Sequence, residues 1–376
     1  MKGKIKQFFI EEKEDVLYIL SFKRSWFLLL IPFCAVLSQT VYFLPQAVER
    51  WYSLGIYNAV GGLLSRLMSL FPFSVLEVLV ILFLLSILAL IVFLIVKAVR
   101  DKNYDSTRLM ATILCAVSIV YSGATLLGGL NTYRIPFQVT MGLTDTDFTR
   151  EELLSLAERL IEDANREKQL VETGEDGAMT LSRSFADTAV AAAEIMAAAG
   201  KTYPTLAGNF GVPKPVFFSG AMLSMNMAGL YTNLTFEANI NRDICDFMKP
   251  YTMCHELTHM RGYQREDDAN LAAYLACMAS DDAEFRYSAS LEVLLYAIRE
   301  LDEQEWESLA PSLSEGVKAD IRAYNRTLQS MNGIITDFFT FLNDIAIRSR
   351  GQSGGTATYG RMVMLLMDLE RKGLSE

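Results

Sequence analysis

Histidine is the scarcest residue of this chain. Its 376 residues include only His255 and His259, so no third imidazole exists for an all-histidine metal site. Cysteine is sparse too. Cys34 and Cys115 fall in apolar runs, and Cys245, Cys254 and Cys277 fall later in the chain. Three is an odd number without metal-type spacing, so no disulfide framework is read; buried free thiols are expected, with a single bridge among Cys245, Cys254 and Cys277 as the alternative. Basic residues are in deficit beyond residue 128, where 22 Lys and Arg face 36 Asp and Glu. That acidic balance argues against a nucleic-acid partner. Internal repeats and long linkers are also lacking. No small-residue cleavage site follows the first apolar run, where Ser38-Gln39-Thr40 continues directly into Val41-Tyr42-Phe43-Leu44. A removable secretory signal is therefore not the reading of that run.

What the chain has in excess is apolar sequence, concentrated in its first third. Hydrophobic residues make up 51% and the mean hydropathy is +0.23, high for a soluble domain. Trp26–Leu44, Val78–Val96 and Leu109–Leu130 each approach the ~20 residues that cross a hydrocarbon core of about 30 Å. They predict transmembrane helices over about 26–46, 76–98 and 109–130. Lys2, Lys4, Lys6, Lys13, Lys23 and Arg24 precede the first span, and Lys97, Arg100, Lys102 and Arg108 lie between the second and third. The connection between the first two has only Arg50 and Arg66. Basic residues are retained on the cytoplasmic side, so the N-terminus is expected inside and everything after residue 130 outside. Residues 1–128 carry 12 basic and 8 acidic side chains, a different electrostatic object from the acidic remainder.

Both histidines sit in one pentad, His255-Glu256-Leu257-Thr258-His259. On a helix, positions i and i+4 share a face, so both imidazoles can reach one ion while Glu256 lies beside an open coordination position as general base. Pro250 suits the first helical turn, and Met253, Leu257 and Met260 supply packing positions. One zinc per chain is the expected cofactor. A third ligand must come from downstream. The position three residues after Gly262 holds Arg265, which has no lone pair to give. Glu266 follows, but on one continuous helix it would lie about 10 Å along the axis from His259. The helix must therefore break, and Gly262 is where a left-handed cap would break it. On a new helix Glu266 could bind the ion while Asn270, four residues on, supports a ligand through its amide. Asp268 and the more distant Glu284 are alternative third ligands.

The rest of the outer part reads coarsely. Thr149–Lys168 is an amphipathic helix opened by Thr149, and Ser182–Ala199 is an Ala-rich helix ending at Gly200. Pro215–Ser219 and Leu230–Ile240 read as strands, and an edge strand beside a metal helix is where a peptidase pairs with an extended substrate. From Asp267 the pattern is helical apart from a Gly-rich patch at 351–355.

The run Glu266-Asp267-Asp268-Ala269-Asn270 resembles the E-x-x-A-D/N helix of gluzincin-type peptidases, whose leading glutamate is a third ligand. A broader resemblance covers most of the chain. It rests on the three spans, Gly128–Pro136, Thr235–Asn241, the H-E-L-T-H-x-R-G and E-D-x-A-N motifs and Thr358-Tyr359-Gly360, and it points to the bacterial domain-of-unknown-function family numbered 3810. The resemblance implies a bacterial membrane protein in which the three transmembrane helices precede a mainly helical α+β zincin-like metallopeptidase domain at 131–376. The expected function is hydrolysis of a peptide or protein by a zinc-activated water with Glu256 as base. Tyr263, Tyr287 and Tyr359 are candidates to stabilise the oxyanion or contact substrate. The alternative is a zinc-binding membrane sensor or scaffold with little or no hydrolysis.

Overall fold

The computed structural model describes residues 18–100, 106–144, 147–330 and 358–373. The N-terminal part contains helices α1 (Leu30–Tyr42), α2 (Asn58–Met68), α3 (Val75–Arg100) and α4 (Ser106–Leu127). A 3-10 stretch, Lys23–Leu29, leads into α1, and a π-helical stretch, Val48–Tyr57, leads into α2. Three segments, Lys23–Tyr42, Val75–Lys97 and Thr107–Leu127, are long and apolar enough to cross a membrane. Their side chains are largely exposed, as lipid-facing residues are when no bilayer surrounds them.

Beyond them the described chain is mostly helical. Helices α5 (Arg150–Lys168), α6 (Phe185–Thr202) and the short α7 (Ser219–Ser224) are followed by α8 (Met248–Met260) and α9 (Glu266–Met278). After these come α10 (Ala283–Glu300), α11 (Glu303–Leu309), α12 (Glu315–Ser330) and α13 (Thr358–Arg371). The Gly-rich patch at 351–355 lies outside the described residues. Helix α5 starts where the sequence says it should. Thr149 Oγ1 accepts from the Glu152 amide and the Glu152 carboxylate accepts from the Thr149 amide, a reciprocal capping box. Its stripe Leu153, Leu156, Ala157, Leu160, Ile161 and Ala164 is buried against α10. Helices α8 and α9 are buried on almost every side, and α6 offers Ala189, Ala192 and Ala199 so that α8 can approach closely.

A three-stranded sheet covers α8. Strand β1 (Lys214–Pro215) runs parallel to β3 (Glu237–Ile240), and β2 (Gly229–Thr232) pairs antiparallel to β3 on its other side. The single strand expected over Leu230–Ile240 is thus a hairpin. Phe236 has φ +53° and donates its amide to Thr232 O, while its ring is buried against Tyr57 and Gly61. A contact with the N-terminal region therefore reverses the chain where the local pattern suggested extension. The strand expected over Pro215–Ser219 is likewise cut short, because Ser219 begins α7.

Helix α2 belongs to this body. Gly61, Gly62 and Ser65 face inward, Ser65 Oγ accepts from the Gly211 amide, and Asn58 Nδ2 donates to Ala207 O. Val60, Leu63 and Leu67 face outward, and Leu64 packs against the core.

Candidate metal centre

The ends of α8 and the start of α9 are built to meet. At the end of α8 the Gly262 amide donates to His259 O and the Tyr263 amide to Thr258 O, with Gly262 at φ +92°. This is the Schellman arrangement, which only a residue comfortable in the left-handed region supports. A β-carbon on Gly262 would also press on the Asn131 side chain, 2.9 Å away. The reversal folds Glu266 back over the histidine face as the first residue of α9.

His255 Nε2 and His259 Nε2 are 3.1 Å apart, Glu266 Oε2 is 3.3 Å from the former and 3.7 Å from the latter. Ligands about 2.0–2.1 Å from a tetrahedral ion are separated by about 3.3–3.4 Å, so the three donor atoms span one face of such a polyhedron. They form a group of potential ligands among the described residues. The chemistry of the set, two imidazoles and one carboxylate in a largely buried setting, fits a borderline divalent ion.

Neighbouring groups fix the donors. His259 Nδ1 is 2.6 Å from Tyr263 O, so the proton resides on Nδ1 and the Nε2 lone pair faces the other donors. Asn270 hydrogen-bonds the His255 ring, and the Tyr251 hydroxyl donates to Asn270 O at 3.1 Å. Burial alone would lower the His255 pKa, but the Glu266 hydrogen bond and charge outweigh it and raise it. Burial likewise opposes ionisation of Glu266, yet the charges of the two imidazoles, His259 foremost, hold its carboxyl well below the usual range.

Glu256 is buried on α8 beside this face, against β2. A β-carbon built on Gly229 would come within 2.4 Å of Glu256 Oε1, so glycine is what lets the strand pass so close.

The structure brings His255, Glu256, His259, Glu266 and Asn270 together and sends Asp268, Glu284 and the side chains of Tyr263 and Tyr287 elsewhere. The Asp268 carboxylate accepts from the Phe137 amide at 2.7 Å, capping the one-turn helix Phe137–Thr140. Glu284 accepts from the Ser182 amide and pairs with Arg183. Tyr263 is fully buried beneath the Arg134 guanidinium, and the Tyr287 hydroxyl donates to Asp320 inside a buried pair with Lys168. The Tyr359 side chain lies outside the described residues. All five cysteines are free.

Several supporting residues carry no local sequence signal. Arg134 makes a bidentate pair with Glu49, 85 residues earlier, and donates to Arg261 O at 2.9 Å. The Tyr57 hydroxyl reaches Met260 O at 3.2 Å and the Tyr231 hydroxyl at 2.7 Å. The carbonyls at the end of α8 are therefore satisfied by side chains from the membrane-proximal segment.

No curated protein and no solved structure matches the chain. A family model does match, over residues 52–367, from the helix that joins the first two spans to the last described helix, and the chain therefore belongs to the family described as Protein of unknown function (DUF3810).

Proposed function

We propose that this protein is a membrane-anchored, zinc-dependent metallopeptidase with a zincin-like domain. The observation that carries the reading is the triangle of donors from His255, His259 and Glu266, with Glu256 one residue along the same helix. Bound there, zinc would supply Lewis acidity and lower the pKa of a water near it. Glu256 would take the proton of the attacking water and return it to the leaving amine. Asn270 and the Tyr263 carbonyl hold the two imidazoles in orientation, and the Gly262 turn holds Glu266. Strand β2 is an edge of the sheet and abuts Glu256, so an extended polypeptide added to that edge would bring its backbone to the base.

Two measurements test the reading. Metal analysis and peptide-library digestion of the purified full-length protein, wild type beside Glu256→Gln, should give about one zinc per chain in both and cleavage only in the wild type. Zinc retention without cleavage of any peptide would favour the sensor or scaffold instead. We further propose that the domain is extracytoplasmic, on the basic-residue asymmetry around the spans. A reporter cysteine near Asp282, in a background lacking native thiols, should react with an impermeant reagent on intact cells; labelling only after permeabilisation would reverse the orientation.

A further inference from the structure

The sheet beside the candidate site is fastened to the domain-side ends of the spans. Glu237, in β3, accepts from the Val75 and Leu76 amides at 3.0 and 2.9 Å and so caps α3, a favourable place for a carboxylate. Lys214, in β1, donates to Glu237 at 2.6 Å and to Met68 O and Phe73 O just before that span. Glu77, in the first turn of α3, accepts from the Phe217 and Phe218 amides, both at 2.8 Å. Asn233, at the hairpin tip, packs so closely on Gly128 at the end of α4 that a β-carbon there would overlap it. The ring of Tyr42, at the end of α1, meets Tyr133 just after α4.

The surface at this level is apolar. On α2 the small residues Gly61, Gly62 and Ser65 are buried, whereas Val60, Leu63 and Leu67, continuing from Ile56 of the preceding π-helical stretch, stand exposed. Phe217 and Phe218 are 69% and 52% exposed although their amides are fixed beside the second span. A helix with small residues inward and large apolar residues outward, continuous with transmembrane helices, has lipid as its complementary medium.

The geometry points to a bilayer-seated site: the stripe on α2 with Phe217 and Phe218 rests in the lipid interface, and β2 presents Glu256 to polypeptides that emerge from the same membrane. This substrate class rests on the peptidase reading. Strand β2 has one end at the span-bound hairpin and the other at Glu256, a distance of about 10 Å over the three steps from Thr232 to Gly229. The headgroup layer on each side of a bilayer is about 5–7 Å thick. A chain leaving the hydrocarbon therefore reaches Glu256 after about four to eight residues, whereas a freely diffusing peptide gains nothing from the seat.

The test uses full-length protein in phosphatidylcholine and phosphatidylglycerol nanodiscs. Synthetic peptides with a randomised segment are offered with or without an N-terminal dipalmitoyl anchor, and cut positions are read by mass spectrometry. Anchored peptides should be cut at least about tenfold faster than free ones at equal bulk concentration, with bonds about four to eight residues from the anchor. Equal rates, or cut positions set by sequence regardless of distance, would overturn the proposal. A second readout needs no hydrolysis: Glu256→Gln protein with a photo-crosslinking residue at Leu230 should capture anchored over free peptide by a similar factor. Selective capture without cleavage by the wild type would leave the membrane-proximal site standing and remove the peptidase reading, and absence of selective capture would remove the site. Seating itself is read with Leu63→Trp in protein whose three native tryptophans are replaced by phenylalanine, where lipids brominated near the headgroup should quench the emission. Unquenched emission would refute the seat.

Discussion

Replacing Gly229 by alanine adds one methyl group and isolates a single contact. The new β-carbon would lie 2.4 Å from Glu256 Oε1, 2.6 Å from Cγ and 2.8 Å from Cδ. Ordinary contact requires at least about 3.4 Å, so the carboxylate must retreat by about 1 Å. Gly229 has no left-handed backbone, so alanine introduces no strain there, and its pairing with Ile240 in β3 is unaffected. The three atoms nearest the new methyl all belong to Glu256. A displacement of about 1 Å in a reacting group costs on the order of 10²-fold in rate, equivalent to about 2.7 kcal/mol of barrier. We therefore expect Gly229→Ala to lose about two decades of kcat while holding zinc as tightly as the wild type. Turnover of a library-derived peptide and chelator competition measure the two quantities on the same sample. Wild-type turnover in this variant would refute the placement of Glu256 against β2 as the working geometry. Parallel loss of zinc would mean that the strand supports the ligands and not the base.

Other outcomes follow from the same contacts. Glu266→Ala should weaken zinc binding steeply and Asn270→Ala by about 10–100-fold, whereas Asp268→Ala should leave affinity unchanged; chelator competition would detect the opposite order. Arg134→Met leaves Glu49 buried without its partner and should cost about 3–5 kcal/mol of stability, and the double change with Glu49→Gln should cost less in thermal melts. Glu292 is buried on α10, its Oε1 has no hydrogen-bond partner, and burial pushes its pKa up to about 7 from an ordinary 4.5. A carboxyl raised in the folded state favours its protonated form, so its contribution is present below about pH 4.5 and lost as pH rises through about 7. Glu292→Gln should accordingly stabilise the fold at pH 8 by on the order of 3 kcal/mol, read as a higher melting midpoint, and change it little at pH 5; equal effects at both would refute the shift.

The parts legible in the sequence were those encoded over short distances. The capping box at Thr149, the break at Gly262 and the return of Glu266 follow from residue types within one or two turns. The hairpin at Phe236 was not legible, because its positive φ is stabilised by Tyr57 and Gly61 far earlier in the chain. Tyr263 and Tyr287 show the same limit, since a tyrosine's role depends on what surrounds it, here Arg134 and Asp320. The connection between the first two spans read only as poor in basic residues. Its contribution to the core depends on Gly61, Gly62 and Ser65, whose small size carries no periodic signal.

The brace formed by Tyr57, Glu49 and Arg134 at the end of α8 bears on how the proposed activity would be confined in space. A protease cutting just after the third span would release a fragment deprived of Tyr57, of the ring contact beneath Phe236 and of the acidic partner of Arg134. Such a fragment would expose core and leave a buried guanidinium uncompensated. Shedding, by which many membrane-tethered enzymes become diffusible, would on the peptidase reading amount to inactivation here. On that reading, the reach of this protein would be set by the lateral diffusion of its spans.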